Sequence, residues 1–146
     1  MSGYVVVDAS VALKWVIDEN QSGTARALAR SWIDLQLQPV APFLWAAELT
    51  NGLFRMVAHA RISLDSALPL LTSLFDADVQ LLEPPDLHTR AMKLAAELRQ
   101  PAAYDAHYLA LAEILDCELW TADERFFRAA SNTFGRLRRL GDFRPT

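Results

Sequence analysis

Apolar positions in this chain fall into two recurring patterns. The first is short and dense. Tyr4-Val5-Val6-Val7 has no polar alternation, which suits a strand buried on both faces of a parallel sheet. The second is spaced at helical intervals, as in Ala25, Leu28, Ala29, Trp32 and Leu35. Strand-like pieces are expected at 4–8, at Pro39-Val40-Ala41-Pro42, at 79–82, at 118–121 and, as a final edge, at 136–140. Between them the spacing predicts a helix led in by Ser10 through Ile17, the helix of Trp32, and a third over 43–60 begun by Pro42. Ser63 is placed to cap a fourth helix, with Leu64, Leu68, Leu71 and Phe75 on one face. Leu87, Ala91, Leu94, Ala95 and Leu98 mark a fifth, closed by Pro101. An apolar helix over 105–115 and another beginning at Asp123 complete the series. Strands alternating with helices predict an α/β fold: a three-layer α/β/α sandwich with a mainly parallel central sheet. In such sheets a ligand sits beyond the carboxyl ends of the strands, where the strand order reverses.

Composition narrows the class. The chain has 146 residues, 52% apolar and 22% charged, so residues 1–146 read as a single globular domain with a proper core. Polar residues interrupt every apolar stretch before the length needed to cross a bilayer, and no membrane association is expected. The start Met1-Ser2-Gly3 lacks the basic and apolar regions of a signal peptide, so the expected location is cytoplasmic. A net charge of −4 argues against broad electrostatic binding of nucleic acid. A bound divalent cation would reverse that field locally. Cys117 is alone and has no basic neighbour, which reads as a small packing residue. His59, His88 and His107 make no zinc-ligand spacing and read as surface or packing residues.

Four acids stand where a packed domain gains little from a charge. Asp8 ends the first apolar run, and Glu48 interrupts Phe43-Leu44-Trp45-Ala46-Ala47. Asp105 opens an apolar helix, and Asp123 follows Leu119-Trp120-Thr121-Ala122. A buried charge must be hydrogen-bonded, paired or metal-bound. Singly, each Asp also suits a helix N-cap, and Glu48 suits a water-facing stripe with Leu44, Asn51 and Arg55. Gathered together, they would form a hard-oxygen set of the kind Mg2+ or Mn2+ prefers, with helix N-termini favouring phosphate oxygens. Lys14 is near Asp8 in sequence and either reaches a phosphate or snorkels at the surface. Arg136, Arg138, Arg139 and Arg144 either guide RNA or guard a sheet edge. The aromatic surplus at Trp15, Trp32, Phe43, Trp45, Phe54 and Phe75 must be mostly core, and any exposed remainder would face a partner.

Four segments carry a resemblance that these properties alone do not. Val5-Val6-Val7-Asp8-Ala9-Ser10-Val11, Trp45-Ala46-Ala47-Glu48-Leu49-Thr50-Asn51, the run from Tyr104-Asp105-Ala106-His107 to Ala112, and Leu119-Trp120-Thr121-Ala122-Asp123-Glu124-Arg125-Phe126 occur in family order and span nearly the whole chain. Together they resemble the PIN-domain nucleases, and among them the VapC-type toxins of bacterial toxin–antitoxin pairs. The resemblance implies a PIN-like sandwich and a Mg2+- or Mn2+-dependent endoribonuclease that cleaves RNA with metal-activated water. It also implies a homodimer held in check by a cognate antitoxin. It gives Asp8, Glu48, Asp105 and Asp123 the catalytic and metal-binding roles, with Ser10, Thr121 and Asn51 supporting. Tyr104 departs from the small polar residue frequent before the third acid. Two rivals keep the fold: an RNA-processing PIN nuclease without antitoxin, and a non-enzymatic binding domain. A receiver-like phosphate site is disfavoured, because Asp8 has no acidic neighbour and no lysine follows Lys93.

Overall fold

A computed structural model describes residues 3–145. Five parallel strands, β1 Tyr4–Val7, β2 Gln38–Ala41, β3 Gln80–Leu81, β4 Leu119–Thr121 and β5 Leu137–Arg139, form one sheet in the order β3-β2-β1-β4-β5. Seven α-helices connect them: α1 Ala9–Val16, α2 Ser22–Asp34, α3 Leu44–Ala58, α4 Leu64–Asp76, α5 Leu87–Glu97, α6 Tyr104–Leu115 and α7 Glu124–Ala130. This is the expected α/β sandwich.

The central strand shows why its sequence has no polar alternation. Val5 and Val7 enter a cluster with Val11, Ala25, Leu28, Trp32, Trp120 and Leu140 on one face of the sheet. Val6 enters a larger cluster on the other, with Trp45, Leu49, Leu74, Leu87, Tyr108 and Leu109 among its members. Both faces of β1 are therefore covered, and Val5, Val6 and Val7 are at most 1% exposed.

From β1 the chain steps outward through β2 to β3, then returns to the other side of β1 to lay down β4 and β5. The reversal lies between β1 and β4. Val6 pairs with Leu119 and Val7 with Trp120, so the two strands end side by side. Asp8 follows one and Asp123 follows the other, at the switch point where such sheets bind ligands.

Several expected features move. The first helix starts at Ala9, with Asp8 rather than Ser10 at its N-cap. The sixth starts at Tyr104, which places Asp105 inside the first turn and leaves Ala103 at the N-cap. Leu35 falls at the C-cap of α2 and is 67% exposed. The largest correction is α4. Ser63 caps it as expected, accepting from the Ser66 N–H. Of the face read from spacing, Leu64, Leu68 and Phe75 are exposed and only Leu71 packs partly against the core, while Ala67 and Leu74 are the buried positions. Leucines occur on both sides of this helix at Leu64, Leu68, Leu70, Leu71 and Leu74, so periodicity alone could not choose the buried side.

That reversal is measurable. Leu74→Ala is expected to cost about 2–5 kcal/mol of unfolding free energy, as for a filled core position. Leu68→Ala should stay within about 0.5 kcal/mol. Equal losses by urea denaturation would restore the face read from spacing.

Candidate active site

Asp8 is the most buried of the acids, at 6% exposure. Its backbone N–H donates to Trp120 O at 3.0 Å, continuing the β1–β4 ladder by one residue. As an N-cap it makes no capping bond with its side chain. Its Oδ2 instead accepts from the Ser10 hydroxyl at 2.6 Å and the Thr121 hydroxyl at 2.7 Å. Those hydroxyls are themselves fixed from β4 onward: Ala122 N–H donates to Ser10 Oγ at 2.9 Å, and Asp123 N–H to Thr121 Oγ1 at 3.0 Å. Ser10 and Thr121 thus sit where the sequence reading put them, and their role is concrete. They orient one carboxylate oxygen, and Oδ1 has no side-chain partner among the described residues.

Glu48 comes from the middle of α3 and reaches the same place. The stripe Leu44, Glu48, Asn51 and Arg55 lines a cleft of 420 Å³ that also contains Asp8, Ser10, Tyr104, Asp105 and Asp123. The stripe therefore borders the cleft over the sheet end, with Leu44 and Glu48 half-buried and Asn51 and Arg55 still exposed to water. Asp105 enters from the first turn of α6 without capping that helix. Asp123 does cap: its Oδ1 accepts from the Phe126 N–H at 3.1 Å, so its two expected roles coexist. All four acids and Asn51 meet in one cleft, and Thr121 lies beneath it with no exposure.

One contributor was missed. The buried Tyr108 hydroxyl donates to Glu48 Oε1 at 2.5 Å and ties α6 to α3 across the cleft floor. Its signal was present, since Tyr108 follows Asp105 by three residues and shares its helix face.

The charges feel one another. Burial, above all, raises the Asp8 carboxyl above its ordinary value. The two hydroxyls oppose that rise and the Asp123 charge adds to it. Glu48 is pushed up to about 7, first by burial, against its bond from Tyr108 and with help from Asp8 and Asp105. Asp105 rises to about 6 through burial and the charges of Asp8 and Asp123. Such mutual repulsion is relieved by protons or by a cation. The donors are all hard oxygens, which fits Mg2+ or Mn2+. Among the described residues, no group of three or more His, Cys, Asp or Glu side chains makes a ready metal cage. A cation here fits the Mg2+ habit of keeping several waters.

Other candidates resolve differently. Lys14 turns to Glu19 Oε1 at 3.1 Å and Asn20 O at 2.8 Å, off the cleft, securing the end of α1. Arg136 pairs with Asp116, Arg138 with Glu118, and Arg139 with Glu124 and Asp142. Arg144 binds the carbonyls of Gly141 and Phe143. Arg136, Arg138 and Arg139, at or beside β5, are thus ion-paired. Arg55 lines the cleft and makes no ion pair among the described residues. Cys117 is buried, and its thiol is pushed up to about 11, mainly by burial. Among the described residues no helix is long and apolar enough to cross a membrane.

Comparison with known proteins gives this geometry a context. The PIN-domain family model matches residues 5–132. VapC ribonuclease Mb0985 of Mycobacterium bovis and ribonuclease VapC9 of Mycobacterium tuberculosis are each 32% identical over 121 residues, covering 83% of this chain and 87% of theirs. Among solved structures, PAE2754 from Pyrobaculum aerophilum superposes with a TM-score of 0.69 at 22% identity, over 94% of this chain and 90% of that one. VapBC-1 from nontypeable Haemophilus influenzae gives 0.63 at 16% identity, over 95% and 99%. The structures share the fold, and the family match reaches from the first strand to beyond the last of the four acids, so this chain belongs to the PIN-domain family.

Proposed function

We propose that this protein is a divalent-metal-dependent endoribonuclease acting as the toxin of a type II toxin–antitoxin pair. The observation that carries the reading is the convergence of Asp8, Glu48, Asp105 and Asp123, from four remote segments, on one cleft at the β1/β4 switch point. The ribonuclease names of the mycobacterial relatives supply the substrate class, and the VapBC neighbour supports an antitoxin partner. Asp8, Asp105 and Asp123 would hold Mg2+ or Mn2+, with Glu48 in contact directly or through water. A cation bound there supplies Lewis acidity, activating water and offsetting charge that builds on the scissile phosphate.

The chain's own groups do the rest. Ser10 and Thr121 keep Asp8 oriented, and Tyr108 holds Glu48 over the cleft floor. Glu48, whose carboxyl is lifted to about 7 by burial and neighbouring acids in the metal-free protein, would ionise fully when a cation binds beside it. Arg55 on the cleft wall offers a cation to an RNA phosphate. The exposed Phe43, Phe54, Leu64, Leu68 and Phe75 of the α3–α4 region give apolar surface for an antitoxin segment or a second copy, in line with a homodimer.

Three outcomes test this reading. Asp8→Asn or Asp105→Asn should slow Mn2+-supported RNA cleavage by on the order of 100-fold or more, while the circular dichroism spectrum stays that of the parent. An RNA-cleavage rate equal to the parent's would remove the assigned role. Thr121→Ala, which frees Asp8 to rotate, should cost about 10–100-fold in activity or metal affinity.

The third concerns pH. Between their ordinary and raised values, Glu48 and Asp105 keep protons in the folded, metal-free protein that the unfolded chain has already released. Their contribution to stability is thus fully present at low pH. It is lost through a window in which pH rises from 3.8, the ordinary Asp value, to about 6 for Asp105, and from 4.5 to about 7 for Glu48. The melting temperature without metal should fall across that window, and Mn2+ should flatten the fall. A metal-free melting temperature that climbs across the same window would contradict the coupled site.

A further inference from the structure

Two histidines that sequence spacing kept apart meet on the face of the α5–α6 pair. His88 Nδ1 lies 3.0 Å from His107 Nε2, and the rings cross edge-on at 67°. The opposite nitrogen of each ring is already engaged. His107 Nδ1 is 2.7 Å from Ala103 O, a pure acceptor, so it must carry a proton. His88 Nε2 is 3.1 Å from Glu83 Oε1, again an acceptor when the carboxylate is ionised. With the outer nitrogens held by these two acceptors, the inner nitrogens face each other at 3.0 Å, a separation that a shared proton or a metal ion can bridge.

We propose that His88 and His107 form a binding site for Zn2+, or a comparable imidazole-preferring divalent ion, separate from the acidic cleft. Three features favour a metal over a shared proton alone. Metal-binding histidines characteristically donate their second N–H to a carboxylate or a backbone carbonyl, and Glu83 and Ala103 stand in those two places. Two bonds of about 2.0–2.1 Å at a tetrahedral ion set the ligating nitrogens about 3.3 Å apart, a few tenths of an ångström beyond the present separation. His88 is largely solvent-accessible, with 62% side-chain exposure, so an ion can enter and water can complete its shell.

The site differs from the cleft in chemistry and in direction. Imidazole nitrogen selects Zn2+, Cu2+ or Ni2+, whereas the four acids suit Mg2+ or Mn2+. His107 follows Asp105 by two residues, about 200° around α6, and lines none of the acidic cleft. Bound there, the ion would clamp α5 to the first turns of α6, the helix that also presents Asp105. Arg90 and Glu113 already join the same two helices through a bidentate ion pair.

Calorimetric titration of the intact protein with Zn2+, in excess Mg2+ to occupy the acids, tests the site. One Zn2+ should bind per chain and raise the melting temperature. His88→Ala, a change at an exposed position, should weaken uptake at least about tenfold and abolish the thermal shift. His107→Gln should do the same. Asp8→Asn and His59→Ala should leave both readouts in place. No Zn2+ uptake would mean that the pair shares a proton only, and the proposal would be overturned. So would uptake undiminished by His88→Ala, or uptake lost in Asp8→Asn.

Discussion

The site depends on how one buried carboxylate is tolerated. Asp8 sits at the end of the most enclosed strand, where an unaccompanied charge would cost several kcal/mol. Two hydroxyl donors and a continued backbone ladder compensate it. Because one hydroxyl comes from α1 and the other from β4, that compensation also joins the two strand ends. Charge, strand pairing and site geometry are thus a single arrangement. Taking away the Asp8 charge would leave the Ser10 and Thr121 hydroxyls with a poorer acceptor. Displacing β4 would leave Asp8 exposed to its neighbours' repulsion without its donors.

Much of this was readable from residues alone. The doubly covered strand at Val5, Val6 and Val7 follows from its unbroken apolar run, and the site acids stood out because they ended or interrupted such runs. What stayed hidden was direction. The exposed stripe on α4 could not be told from its buried one, because leucines occupy both. The three N-cap readings came out differently: Asp123 caps with its side chain, Asp8 holds the N-cap position but turns its carboxylate to Ser10 and Thr121, and Asp105 lies inside the first turn of α6. Tyr108 went unassigned since a tyrosine in an apolar helix looks like packing until its hydroxyl is traced to Glu48. The histidine pair was out of reach for the same reason that disulfide partners are: contact between α5 and α6 is set by tertiary packing, not by spacing.

The cleft shows the tension expected of a working site. Three carboxyl groups carry raised proton affinities because the fold buries them and, to a lesser degree, presses like charges together. A protein selected for stability alone would fill such positions with apolar groups. The rest of the molecule follows the opposite rule. The arginines of the last strand are matched by acids from neighbouring segments, and the lone thiol is enclosed. In the cleft the like charges stand close enough to repel, and a cation there can relieve them.

Strand order also governs timing. β4 inserts between β1 and β5, yet it is among the last strands to leave the ribosome. The nascent chain therefore holds Asp8 and Glu48 long before it has Thr121 to steady the first or Asp123 to complete the quartet. Contacts of such long sequence separation form late in folding as well. Until its final quarter has emerged and docked, the growing polypeptide cannot assemble the four-acid cleft.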